Sequence, residues 1–186
     1  GDGISFQQSN DVRVESCVVE RCAGLGLHPG SGSQRPTVKN CRATGNGEDG
    51  FFFCWRVRGG LAEGNLLENN GGYGMSIGHK DSDNLVRKNT IVGNKQGGVY
   101  WRAEQEPMAA HRVRFESNVV RDNHGWGLFI DGVTHGTIIR SNVIEDTGAG
   151  LQKIGIRIGK RVGEVVLENN NVRASTQILD DREKQP

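Results

Sequence analysis

The sequence predicts an all-β parallel solenoid of about seven coils. Three observations carry the prediction: a repeat of about 24 residues, columns of asparagine and glycine at fixed places in it, and apolar residues alternating after each glycine. Anchored on Cys17, Cys41, Asn65, Asn89, Asn118, Asn142 and Asn170, the units are spaced by 24, 24, 24, 29, 24 and 28 residues. Three positions before each anchor stand Val14, Val38, Ala62, Val86, Phe115, Ile139 and Leu167. Two positions after stand Val19, Ala43, Leu67, Ile91, Val120, Ile144 and Val172.

Each element of the unit follows from this alignment. Gly26, Gly50, Gly74, Gly98, Gly127 and Gly155 open the first strand, where period-two alternation sends Phe51, Phe53, Met75, Ile77, Leu128, Ile130, Ile156 and Ile158 inward. The apolar pair flanking each anchor marks two further short strands. A second polar column, Cys22, Asn46, Asn70, Asn94, Asn123, Thr147 and Ser175, closes the unit. Stacked at the ~4.8 Å strand spacing, asparagines can bond to one another and to turn backbone along the axis. Cys17 and Cys41 share a ladder position, as Cys22 and Asn46 do. In-register stacking aims neighbouring Cβ atoms in parallel, which favours buried thiols over a disulfide. Cys54 is expected free on the outer face.

The units "VRKNTIVGNKQGGVYW", "FESNVVRDNHGWGLFI" and "VLENNNVRASTQ" resemble the right-handed parallel β-helix repeat of the pectate-lyase-like superfamily. The likeness runs over roughly residues 3 to 175. It implies repeats over 1–175, a polar tail over 176–186, and a chain active on polysaccharides or oligosaccharides in a secreted or cell-envelope setting. Members of that superfamily include polysaccharide lyases, glycoside hydrolases and alginate epimerases, and the chain carries no diagnostic catalytic motif of a lyase or epimerase subfamily. Members usually carry an N-terminal helical cap; here the first unit is under way at Gly3, which suggests a fragment of a longer chain.

Composition excludes other classes. A formal charge of +1 with no basic block argues against nucleic-acid binding, and no apolar run reaches the ~18 residues of a membrane span. The N-terminus has no signal-peptide pattern.

The outward positions of the first strand suggest a site. His28, Phe52, Ser76, Tyr100, Phe129 and Arg157 form one column, and Cys54, Gly78, Arg102, Asp131 and Gly159 form the next. Aromatic faces stack on sugar rings while charged groups take hydroxyls and carboxylates. His28, Phe52, Arg56, Tyr100, Phe129 and Arg157 are therefore candidate substrate contacts, although such columns also stabilise strand pairing alone. The turn "GHKDSD" and the insertion "RAEQEPMAAH" add His79, Asp81, Asp83 and Glu104. His79, Asp131, Arg102 and Asp81 are the catalytic candidates. Uronate β-elimination would use a base with a cation, or Ca²⁺ held by Asp81 and Asp83. Hydrolysis would pair Asp81, Asp83 or Glu104 with Asp131, at roughly 6.5–9.5 Å. A non-catalytic glycan-binding module and a structural or adhesive solenoid are the remaining readings. His111 and His124 are expected as ordinary loop residues.

Overall fold

The computed structural model describes residues 1–184. Three parallel sheets wrap one narrow core. The first has eight strands, running from Ile4–Phe6 through Phe51–Phe52, Tyr73–Ile77, Gly97–Trp101 and Trp126–Ile130 to Ile154–Ile158 and Thr176–Asp180. The second, from Arg13–Glu15 to Val165–Glu168, and the third, from Val18–Glu20 to Asn171–Arg173, have seven strands each. Every pairing joins equivalent strands of successive coils; Met75 faces Phe51 on one side and Val99 on the other. The stretch expected as a polar tail starts with a strand instead, since Thr176–Asp180 pairs with Ile154–Ile158 and extends the first sheet. The last two tail residues, 185 and 186, lie outside the described residues.

The core is the predicted set of inward columns. Phe51, Met75, Ile77, Leu128, Ile130 and Ile156 are fully buried, as are Val86, Phe115 and Ile139 of the second sheet. The glycine column answers to space rather than to backbone conformation. A Cβ on Gly26, Gly50, Gly74, Gly98 or Gly127 would lie 2.3 to 2.9 Å from the carbonyl oxygen of the next glycine in the column.

Two corners are built from asparagine. In the first ladder Asn89 Oδ1 accepts the N–H and side-chain amide of Asn65, both at 2.9 Å. Asn89 Nδ2 donates to Ala62 O and to Asn118 Oδ1, each at 3.0 Å. Asn118 and Asn142 repeat that set, so a thin core holds a polar column with its groups bonded. The residue before each anchor turns the chain through the left-handed region: Ser16, Asn40, Gly64, Lys88, Ser117, Ser141 and Asn169 all have φ between 52° and 68°. In the second ladder Asn123 bonds not to Thr147, as the alignment suggested, but to Gln152 Oε1. The extra residues of that unit form the turn 146–151, where Thr147 bonds Asp122 on the surface. The longer side chain of Gln152 restores the reach. The four cysteines are unbridged, with Cys41 buried and its N–H bonded to Asn65.

Candidate functional site

The outer face of the first sheet carries a connected row of rings. The His28 imidazole lies edge-on to Phe52 at 5.6 Å, and Tyr100 packs against Tyr73 at 5.0 Å and Phe129 at 5.4 Å. The Arg157 guanidinium covers Phe129 at 4.6 Å and is paired with Asp181. Ser76 should interrupt the row, but Arg102 bridges it. Its guanidinium lies 4.3 Å over the Phe52 ring and donates to Ser76 Oγ at 2.8 Å. From His28 to Arg157 the row spans roughly 24 Å at ~4.8 Å per rung.

Arg102 is also the centre of the polar cluster. Nη2 donates to Phe53 O at 2.8 Å and Asp81 Oδ2 at 3.2 Å, and meets His79 Nδ1 at 3.4 Å. Burial lowers the guanidinium pKa, opposed chiefly by Asp81. Asp81 itself is fully buried beneath it, accepting the N–H groups of Val57 at 3.0 Å and Gly78 at 3.2 Å. Desolvation pushes its carboxyl up to about 7, against the pull of Arg102 and the two amides.

His79 stands at the mouth of this cluster, partly open to solvent. Its Nε2 is 2.9 Å from Glu104 Oε1, and its ring packs on exposed Trp55 at 5.5 Å. With Arg102 facing Nδ1, the neutral ring carries its proton on Nε2 and donates to Glu104. Burial lowers the imidazole pKa, and the Arg102 charge lowers it further, while Glu104 opposes both. Glu104 arrives on the insertion, which is pinned to the previous coil by Lys80 N–H to Met108 O at 2.6 Å and Asp83 N–H to His111 O at 3.0 Å.

The candidates named from sequence separate into groups. His79, Arg102 and Asp81 meet. Asp131 lies one rung beyond Arg102, where it accepts the N–H of Gly132 at 2.8 Å and helps burial raise the Tyr100 pKa. Asp83 does not join Asp81 in a Ca²⁺ site, because it is held by Arg112 at 2.6 and 2.9 Å while Asp81 is closed off under Arg102. Arg56 belongs to neither the row nor the cluster; with Gln34, Arg58 and Lys80 it lines a separate pocket beside His79. Cys54 is part-buried near Asp81, and burial raises its thiol pKa.

Two features escaped the sequence reading. Asp49 sits under the cluster with Oδ1 on the Tyr73 N–H at 2.7 Å, and burial pushes its pKa up to about 6. Its signal was a carboxylate in a column otherwise filled by Leu25, Tyr73, Gly97, Trp126 and Ile154. Elsewhere, Glu106, His111 and His135 bring potential metal-ligand atoms within 4.8 Å of one another. His111 already uses both ring nitrogens there: Nε2 on Glu106 at 3.0 Å and Nδ1 accepting the His135 N–H at 3.2 Å. Its ring stacks on His135 at 3.9 Å, which explains the imidazole as a loop fastener.

Known proteins share this architecture. Mannuronan C5-epimerase AlgE5 of Azotobacter vinelandii is 26% identical over 122 residues, 66% of this chain and 11% of the relative. AlgE3 of the same organism is 30% identical over 89 residues, 48% of this chain and 5% of the relative. The chain thus spans about a tenth or less of these relatives. Among solved structures, the periplasmic alginate epimerase AlgG superposes with a TM-score of 0.76 at 14% identity, covering 91% of this chain and 42% of that one. The AlgE4 A-module from Azotobacter vinelandii gives 0.53 at 17% identity, covering 92% and 62%. The sequence profile described as "Right handed beta helix region" matches residues 1–132, and on that match the chain belongs to the right-handed β-helix family.

Proposed function

We propose that the chain is a carbohydrate-active β-helix protein that lays an acidic polysaccharide along the first sheet and acts at the C5 carbon of a uronate unit beside His79. The observation that carries the reading is the junction of a ring row with a partly exposed, neutral histidine fixed between Arg102 and Glu104. In this reading the rings take sugar faces. The Glu104 carboxylate is the base for the C5 proton, held in place by the His79 Nε2–H, and Arg102 is a fixed positive charge behind the pair rather than a substrate ligand, since its N–H groups are directed into the protein. Removing that proton leaves an enolate, which either breaks the C4–O bond and releases the adjoining sugar in a β-elimination or takes a proton from solvent on the opposite face in a C5 epimerisation. The curated relatives named as mannuronan C5-epimerases support a uronate polymer as substrate, and the similarity to periplasmic AlgG supports a periplasmic setting. The hydrolytic pairs built on Asp81 or Asp83 are disfavoured because Asp81 is sealed under Arg102 and Asp83 is engaged by Arg112.

The test is incubation with polymannuronate, polygalacturonate and a neutral glucan. Ultraviolet absorbance follows unsaturated uronate, proton NMR follows C5 configuration, and a reducing-end assay follows hydrolysis. A C5 product on a uronate polymer, lost in His79→Ala, is expected. Retention on a polyuronate column without any product would reduce the protein to a glycan-binding module. New reducing ends lacking unsaturation would replace the reading by hydrolysis.

A further inference from the structure

Cations on this solenoid are commonly matched by an acid from the same or the next rung. Arg35 pairs with Asp11, Arg87 with Glu63, Arg112 with Asp83 and Arg140 with Glu116. Arg56, Arg58 and Lys80 have no ion pair among the described residues, and all three line one pocket of about 340 Å³ with Gln34.

The pocket is made by the turn that follows the first sheet. Arg56 and Lys80 occupy the same turn position in successive coils, and Arg58 bridges in parallel to Gln34. Gln34 Nε2 donates to Arg56 O at 3.1 Å and to Gly32 O at 2.9 Å, which fastens the pocket floor. Trp55, Arg56, His79 and Lys80 all take left-handed backbone, with φ of 61°, 67°, 47° and 68°. None is glycine, and the same left-handed backbone recurs at Ser16, Asn40, Lys88, Ser117, Ser141 and Asn169, so it is how this coil turns its corners. Like charges stacked on adjacent rungs repel. The acid that feels Arg58, Asp83, has both oxygens engaged by Arg112, so the three cations keep an excess of positive charge that an anion would balance.

We propose that Arg56, Arg58 and Lys80, braced by Gln34, form a subsite for an anionic substituent of a sugar, its carboxylate or a sulfate ester. It would be the unit next to the one at His79. The proposal rests on the reading that an acidic glycan occupies the first sheet. It adds which side chains recognise the charge. Lys80 follows His79 directly and Arg56 follows Trp55, the ring on which His79 packs. A glycan held in the pocket thus enters the site in one register. Arg102 cannot take this role because its guanidinium is bonded to Ser76, Phe53 and Asp81.

Calorimetric titration tests it with three ligands of equal length: an oligouronate, its carboxyl-reduced neutral form, and that neutral form bearing sulfate esters. The parent protein should prefer an anionic ligand over the neutral one by about tenfold or more, the worth of one charge-assisted contact. Arg56→Gln/Arg58→Gln/Lys80→Gln should abolish that preference and leave the neutral ligand's affinity unchanged. Preference for the uronate assigns a carboxylate; preference for the sulfated ligand alone assigns a sulfate ester. A triple variant that still discriminates, or a parent that never does, overturns the subsite. Circular dichroism checks folding, and should the triple variant fail that check, Lys80→Gln alone must show the same loss in smaller measure. His79→Ala separates the two readings. If it and the parent form no C5 product yet both keep the preference, the pocket stands and the C5 chemistry falls.

Discussion

The asparagine corners and the corner after the first sheet solve the same problem by opposite means. Both must bury polar groups where the chain turns, next to a core only one side chain deep. At Asn65, Asn89, Asn118 and Asn142 the solution is neutral and repeated, each side chain bonding backbone below and the next asparagine above. At Asp81, Arg102, His79 and Glu104 the solution is charged and used once. Neutral repetition gives order that any rung can supply. A single charged cluster gives perturbed proton affinities, which are what acid–base chemistry uses.

Four measurements press on that contrast. The largest stability loss is expected for Arg102→Met, which strips the cation from a fully buried carboxyl. About 3 kcal/mol should be lost by thermal or urea unfolding, Asp81 answering by holding its proton to higher pH. A variant as stable as the parent would show that the charged corner is not structural at all. Next, Asn89→Ala leaves donors and acceptors on Asn65, Ala62 and Asn118 without partners, for a loss of roughly 2–3 kcal/mol. If the loss were negligible, the ladder would be decoration.

Asp49→Asn should be a pH effect. The folded-state pKa of about 6 exceeds the ordinary 3.8, so the native state holds the proton more tightly than the unfolded chain. The contribution is fully present below 3.8 and is lost as pH rises through about 6. Asparagine keeps the oxygen that accepts the Tyr73 N–H and cannot ionise. The variant should therefore gain on the parent between pH 4 and 8, by up to about 3 kcal/mol at ~1.4 per pKa unit. A constant difference across that range would remove the proton-affinity argument. Smallest in stability is His79→Ala, expected within about 1 kcal/mol of the parent because the ring is part-exposed. Equal damage in His79→Ala and Asn89→Ala would erase the distinction between the corners.

The same contrast explains what could be read from residues alone. Asn89 and Asn118 announce themselves because equivalent residues recur at fixed spacing, and Val86 and Ile91 flank them in every unit. The inward set Phe51, Met75 and Leu128 follows from the same register. Asp81, Arg102 and His79 were legible as neighbours on one flank once the coil was drawn. Their bonds were not. That Asp83 would turn to Arg112 while Asp81 sank under Arg102 depends on which side of a left-handed turn each leaves, and nothing periodic records it. Glu104 reaches His79 only through the path of a loop with no counterpart in other coils. Gln152 displaced Thr147 from the ladder for a similar reason, since the added residues changed which side chain arrives at the corner.

The two insertions, at 102–111 and 146–151, also mark where the coil accepts extra length. Neither breaks a ladder: Asn89 still reaches Asn118 across the first, and Asn123 meets Gln152 across the second. The molecule therefore behaves as a modular cassette. Loops grafted at those two turns are expected to leave the ladders intact, whereas deleting one residue beside Asn65 or Asn89 would throw them out of register.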